Sequence, residues 1–244
     1  MKPNIFVRTS SSGAEGDGAE VQRLFPIHGF MNYDPFVLWD HFKVSAGCGF
    51  PDHPHRGFEG ITYIFKGSMQ HKDNLGNEST VLPGGLQRFT AGAGIVHSEM
   101  PSPGTTTQGI QLWVNLPQSL KKSTPDYQQV DSDSIPEHIV EGGVVRELIG
   151  FDSPLKLKTP VLYLDIQLKT GAHLTEPVTD GFRGLVYVVE GDVDVGGQSL
   201  AVGQALFFEG INQLEMNAKS NARMMLCCGL PHAEKIRQYG PYVD

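Results

Sequence analysis

The chain is short of cysteine, with only Cys48, Cys227 and Cys228 in 244 residues. That excludes the disulfide framework on which small secreted domains depend. Cys227 and Cys228 are neighbours, so on a strand they face opposite ways, and they read as reduced core residues. A basic excess is also lacking. The formal net charge of −8 argues against direct nucleic-acid binding, which usually uses a basic surface. Lys121-Lys122 is too short a basic run for a nuclear import signal. No apolar run approaches the ~18 residues of a membrane span. The opening MKPNIFVRTSSS has no apolar stretch of signal-peptide length. The expectation is a cytoplasmic monomer without membrane association, nuclear as well if the source is eukaryotic. No segment shows a long 3.6-residue apolar period, so internal helices are not expected.

Glycine and proline are plentiful, at 29 and 16 residues, and they punctuate short runs rich in β-branched and aromatic side chains. Strands are predicted in the first half at Phe36–Val44, Gly60–Lys66, Leu86–Thr90 and Gly109–Leu116. In the second half they are predicted at Val144–Ile149, Val161–Leu168, Gly184–Glu190, Asp192–Val195, Ala205–Phe208 and Arg223–Cys228. HKDNLGNES (71–79) reads as a hairpin turn, and SSSGAEGDGA (10–19) as a loop. Pro117–Pro136 is polar and proline-punctuated and reads as a linker, which divides the chain into 1–128 and 129–244. Many short, evenly spaced strands imply an all-β fold, either sandwich or barrel.

The halves repeat. TYIFKG (62–67) matches VYVVEG (186–191) at an offset of 124, and VLPGGLQRF (81–89) resumes as LAVGQALFF (200–208) after a shorter hairpin. Two copies of one small barrel are therefore expected.

The chemistry gathers in the first copy. His53 with His55, and His97 with Glu99, are two i, i+2 pairs, and on strands each pair shares one face. Four ligands from two neighbouring strands can then converge on one ion. At the same offset His53 and His55 map to Pro177 and Thr179. The later offset carries His97 and Glu99 to Met216 and Ala218, so only the first copy is expected to bind metal. Three imidazoles and a carboxylate leave coordination positions open on a five- or six-coordinate ion and suit Fe, Cu, Ni, Mn or Zn. A closed structural zinc would favour thiolates, which the cluster lacks. Arg56 and Glu59 flank the ligands and are expected to pair with each other. Phe58, Met100 and Trp113 are candidates for the pocket wall or the core. The remaining histidines, His71 among them, read as structural or exposed.

HPHRGFE (53–59) and TAGAGIVHSEMP (90–101), with LGN (75–77), PGG (83–85), GIQLWVNLP (109–117) and QYGPYV (238–243), resemble the pirin family of the cupin superfamily. The resemblance implies two tandem cupin-type, jelly-roll-like barrels, the second degenerate. Ordinary cupins use a Glu in the first motif and a His soon after the PxG turn; those positions hold Glu59 and Arg88, while the HSE segment is intact. Two departures stand out. Ala93 occupies a loop position where members often carry Arg, and the sequence reaches Asp244 where many members continue into a helical segment. The family implies Fe(II) and, for several members, quercetin 2,3-dioxygenase activity: O2-dependent opening of a flavonol with loss of carbon monoxide. Partners would then be a flavonol-like enol and O2, with Glu99 alternating between metal ligand and general base. The family equally implies a second role, a co-regulator without turnover whose metal state biases binding to a transcription factor or metabolic enzyme.

Overall fold

The computed structural model describes residues 3–244. It divides into two compact units, each discontinuous in sequence. Ser11–Ser134 with His232–Asp244 form one, here the N-barrel; residues 3–10 with Ile135–Pro231 form the other, the C-barrel. The sequence-based boundary after residue 128 falls inside a strand of the N-barrel, and the changeover lies between Ser134 and Ile135.

The chain opens with β1 (Asn4–Thr9), an edge strand of the C-barrel. The N-barrel follows with β2 (Ser11–Glu15), β3 (Asp17–Phe25), β4 (Phe36–His55), β5 (Phe58–Lys66) and β6 (Met69–Asp73). It continues through β7 (Glu78–Val81), β8 (Leu86–Thr90), β9 (Ile95–Pro101), β10 (Thr107–Asn115) and β11 (Asp126–Val130). The C-barrel contributes β12 (Glu137–Val140), β13 (Gly143–Ile149), β14 (Val161–Leu168), β15 (His173–Pro177) and β16 (Arg183–Glu190). Its remaining strands are β17 (Val193–Val195), β18 (Gln198–Leu200), β19 (Gln204–Glu209), β20 (Gln213–Ala218) and β21 (Ala222–Gly229). A last hairpin, β22 (Gln238–Tyr239) and β23 (Tyr242–Val243), returns to the N-barrel. Among the described residues, helical structure is limited to two short 3₁₀ turns, Gln118–Leu120 and Ser132–Ser134.

In the N-barrel the strand order is β11-β8-β5-β10-β4-β9-β6-β7, with β3 on β4 and β2 on β3. The C-barrel has one sheet ordered β1-β19-β16-β21-β14-β13-β12 and a second ordered β15-β20-β17-β18. Ten of the strands coincide in place with the sequence expectation, and every predicted strand is present. Two polar stretches behave differently from their prediction. Residues 10–19 build most of the β2–β3 hairpin, turning at Gly16 (φ +53°), because Ala19 and Val21 already belong to the buried face. The supposed linker contains β11, which pairs with β8 through alternating contacts such as Tyr127 with Phe89.

β4 is the element that positions the site. Its first half pairs with β3 and β10, and its second half, from Phe50 to His55, pairs with β9. A Cβ on Gly49 would lie 2.7 Å from Met100 Sδ and 3.0 Å from the Glu99 carbonyl, so glycine lets β4 close onto β9. Around Phe58, Phe89 and Trp113 one apolar cluster forms, and a separate one gathers Val21, Phe42, Val44 and Ile64.

Candidate metal centre

The β4–β9 ladder sets His53 directly opposite His97. His55, two residues on, turns to the same face. Ligand nitrogens of His53, His55 and His97 all lie within 4.8 Å of one another, and the ring centroids are 4.5, 4.6 and 5.0 Å apart. His53 Nδ1 lies 2.7 Å from the Pro51 carbonyl and His55 Nδ1 lies 3.2 Å from the Pro241 carbonyl. A carbonyl only accepts, so both Nδ1 atoms carry the proton and each Nε2 keeps its lone pair for a metal. Phe89 stacks on His55 at an interplanar angle of 8°, and Gly60 leaves room for it, since a Cβ there would fall 2.2 Å from the Phe89 ring.

The three rings fit a metal ion on an observation of their own. His97 is 1% exposed, and both its ring nitrogens are buried without a hydrogen-bond partner. Orphaned buried nitrogens are costly unless something ligates them. Burial, reinforced by the neighbouring histidines, keeps His97 well below the ordinary imidazole range; burial and His53 push His55 down to about 3. Neutral imidazoles are the metal-binding form.

Glu99 lines the same pocket but stands outside the cluster of mutually close nitrogens. Its Oε1 accepts hydrogen bonds from Gln87 Nε2 at 2.6 Å and Thr62 Oγ1 at 2.7 Å. Tyr127 donates to Gln87 Oε1 at 2.9 Å, which fixes the amide so that its NH2 faces Glu99. Ser79 lies 2.6 Å from the Tyr127 hydroxyl. Gln87, Thr62 and Tyr127 carry no motif in the sequence; strand register with Glu99 is the signal that finds them.

Several expectations change. Arg56 does not pair with Glu59; it forms a two-pronged contact with Asp244 at 2.8 and 2.9 Å and stacks over Tyr242. Glu59 accepts from Thr90 at 2.8 Å, and Arg88 donates to Thr90 and Asp126. Glu59 and Arg88 neighbour Gly60 and Gln87, whose alternate face carries the site, so strand parity turns both away from it. His71, expected to be structural or exposed, is structural. It is fully buried, its ring lies 5.3 Å from His97, it pairs with Asp73 and it stacks on Tyr127. Trp113 lines the pocket with Phe58 stacked behind it at 4.0 Å, whereas Met100 packs at Gly49. Cys48 is partly buried, and Cys227 and Cys228 are buried and reduced.

The cavity over the histidines has a volume of about 580 Å³. Val21, Leu38, Phe42, Phe50, Met69 and Trp113 form much of its wall. A model of the family described as Pirin matches residues 18–114, and one described as the Pirin C-terminal cupin domain matches residues 163–244. The chain belongs to the pirin family. Pirin from Mus musculus is 39% identical over 245 aligned positions, spanning 96% of this chain and 84% of its own length. A pirin-like protein of Caulobacter vibrioides is 36% identical, over 100% of this chain and 92% of its own. Among solved structures, a quercetin 2,3-dioxygenase of Acinetobacter baumannii superposes with a TM-score of 0.90 at 31% identity, over 98% of this chain and 90% of that one. Two pirin cupin barrels are thus the architecture, and the histidine cluster lies in the first.

The structure also fixes how the barrels correspond. Met69 pairs with Val81 and Pro101, and its repeat partner Val193 pairs with Leu200 and Ala218. Pro101 therefore matches Ala218, and His97 and Glu99 match Leu214 and Met216, two residues short of the sequence-derived positions. Leu214 faces Glu176, so Glu176 stands where the N-barrel has His53, and Val178 stands where it has His55. A shorter β19–β20 connection causes the slip.

Proposed function

We propose that this pirin-family protein is a metal-dependent oxygenase that opens a flavonol-like enol with O2, using one ion held by His53, His55, His97 and Glu99. The observation that carries this reading is His97, buried with two unpartnered nitrogens beside a roomy apolar cavity. Fe(II) is the ion we assign, following the pirin resemblance; the nitrogen and oxygen donors, without thiolate, suit Cu, Ni, Mn and Zn as well. When bound, the ion supplies a Lewis acid and a redox partner for O2. The chain's own residues do the rest. Pro51 and Pro241 aim two imidazoles. Gln87 and Thr62 hold Glu99 Oε1, so Oε2 is the oxygen left to ligate and to take the enol proton. A cavity of about 580 Å³ lies in the ordinary range of small-molecule sites and shields the reacting ring from water. The likeness to the A. baumannii quercetin 2,3-dioxygenase supports the substrate class.

Metal analysis followed by O2 uptake with quercetin tests the proposal. We expect uptake that disappears together with bound metal in His55→Ala, and that falls further than metal content in Glu99→Gln. Bound metal with no uptake for any flavonol would overturn the oxygenase reading in favour of the co-regulator.

A further inference from the structure

One feature of the N-barrel wall starts beside the metal cluster and runs away from it. Strand register places Arg23, Asp40, Gln111, Thr62 and Gln87 side by side across β3, β4, β10, β5 and β8. The neighbouring row on one side is Val21, Phe42, Gly109 and Ile64; on the other it is Leu38, Trp113, Gly60 and Phe89. A single polar belt thus crosses an apolar wall, and it ends at Glu99. Asp40, Thr62 and Gln87 are 5%, 1% and 0% exposed, a costly placement unless each finds partners.

The belt is hydrogen-bonded in two segments. Thr62, Gln87 and Glu99 form one, and Gln111 Oε1 lies 2.7 Å from Thr62 Oγ1, whose one proton goes to Glu99 Oε1 at the same distance. Arg23 grips Asp40 through two bonds of 2.6 and 2.8 Å and reaches Glu15 at 2.7 Å, forming the other. Among the described residues no side-chain hydrogen bond joins Asp40 to Gln111, although they are paired across the β4–β10 ladder and both line the cavity. One arginine against two carboxylates leaves this end of the cavity net negative. It accepts hydrogen bonds and repels a second anion.

We infer that Asp40 and Gln111, with Arg23 fixing Asp40, form a specificity site for neutral hydroxyl groups on an aromatic ring remote from the enol. The inference rests on the oxygenase reading for the enol end and adds the chemistry of the opposite end. Ligands carrying a second carboxylate are rejected there, and polyhydroxylated aromatics are selected. A buried site that hydrogen-bonds a hydroxyl discriminates strongly against the analogue lacking it.

The test is a binding comparison of quercetin with 3-hydroxyflavone, which has the enol but no other hydroxyl. Quenching of Trp113 fluorescence reads binding without turnover, and O2 uptake is followed in parallel. Wild type is expected to favour quercetin by about tenfold or more. Asp40→Asn and Gln111→Met should each cut that ratio to about threefold or less; Gln111→Met introduces no buried charge and serves if Asp40→Asn fails to fold. An unchanged ratio in either folded variant, or a wild type that does not discriminate, overturns the site. A ratio that collapses as expected while no flavonol drives O2 uptake upholds the recognition site and overturns the oxygenase. Uptake that persists with an unchanged ratio does the reverse.

Discussion

The N-barrel and C-barrel are two uses of one strand plan. Where the first has His53, His55, His97 and Glu99, the second has Glu176, Val178, Leu214 and Met216. Val178, Leu214 and Met216 join one apolar cluster that also holds Val193, Leu206 and Phe208. In the N-barrel the apolar side chains sit in separate clusters and the polar belt lines an open cavity between strands. The difference teaches that the backbone does not create the metal centre. A few inward positions decide whether a barrel is filled with hydrocarbon or kept open around imidazoles that need a partner.

The sharpest way to break the contrast is to give the N-barrel the C-barrel's residue. His97→Leu should lower bound metal from about one ion per chain to background and abolish O2 uptake, because two imidazoles and a carboxylate remain. Thermal stability of the metal-free protein should hold or rise, since two orphaned nitrogens are replaced by methyl groups. Metal analysis with a melting curve checks both.

pH separates the barrels next. His55 titrates at about 3 in the folded protein against 6.5 when exposed. The unfolded chain therefore takes up its proton first, and the metal-free N-barrel loses stability as pH falls from 6.5 towards 3. The loss at pH 5 is about 2 kcal/mol from His55 alone, with His97 acting in the same direction. Glu176 carries the opposite sign. Burial, with Glu147 beside it, raises its pKa, so its contribution is present at low pH and is lost as pH rises through that raised value. Both tryptophans, Trp39 and Trp113, belong to the N-barrel, so fluorescence melts at two pH values report that unit alone.

The smallest effect concerns the support behind Glu99. Tyr127→Phe removes the donor that orients Gln87 and should cost about 1 kcal/mol. Turnover should fall by more than metal affinity, because Glu99 loses its fixed orientation and keeps its charge. Equal losses in the two measurements would make the role of Tyr127 purely structural.

The clustering of the three histidines was legible because i, i+2 spacing on a strand is a geometric statement, and β4 and β9 obey it. The repeat was legible for the same reason, through matching strand cores. Other features depend on register between distant strands, which a linear pattern does not carry. Gln87, Tyr127 and the Arg23–Asp40 pair meet the site only through cross-strand neighbours. The parity that turns Glu59 and Arg88 outward, and the two-residue slip that replaces Met216 by Leu214 as the partner of His97, arise at bulges and loop lengths. Polar residues 10–19 looked like a loop because most of their side chains face water, which an edge hairpin permits.

The closing hairpin has a consequence for the order of events in the cell. The carbonyl of Pro241 aims His55, and Lys121 Nζ ties the Gly57 carbonyl to that of Val243 at 2.8 Å each. During synthesis those residues leave the ribosome only after the entire C-barrel has emerged. The histidine-bearing wall is therefore finished last, although most of it is made first. A nascent chain carries the histidines without the clamp that orients them, so any metal loading becomes an event of the completed polypeptide.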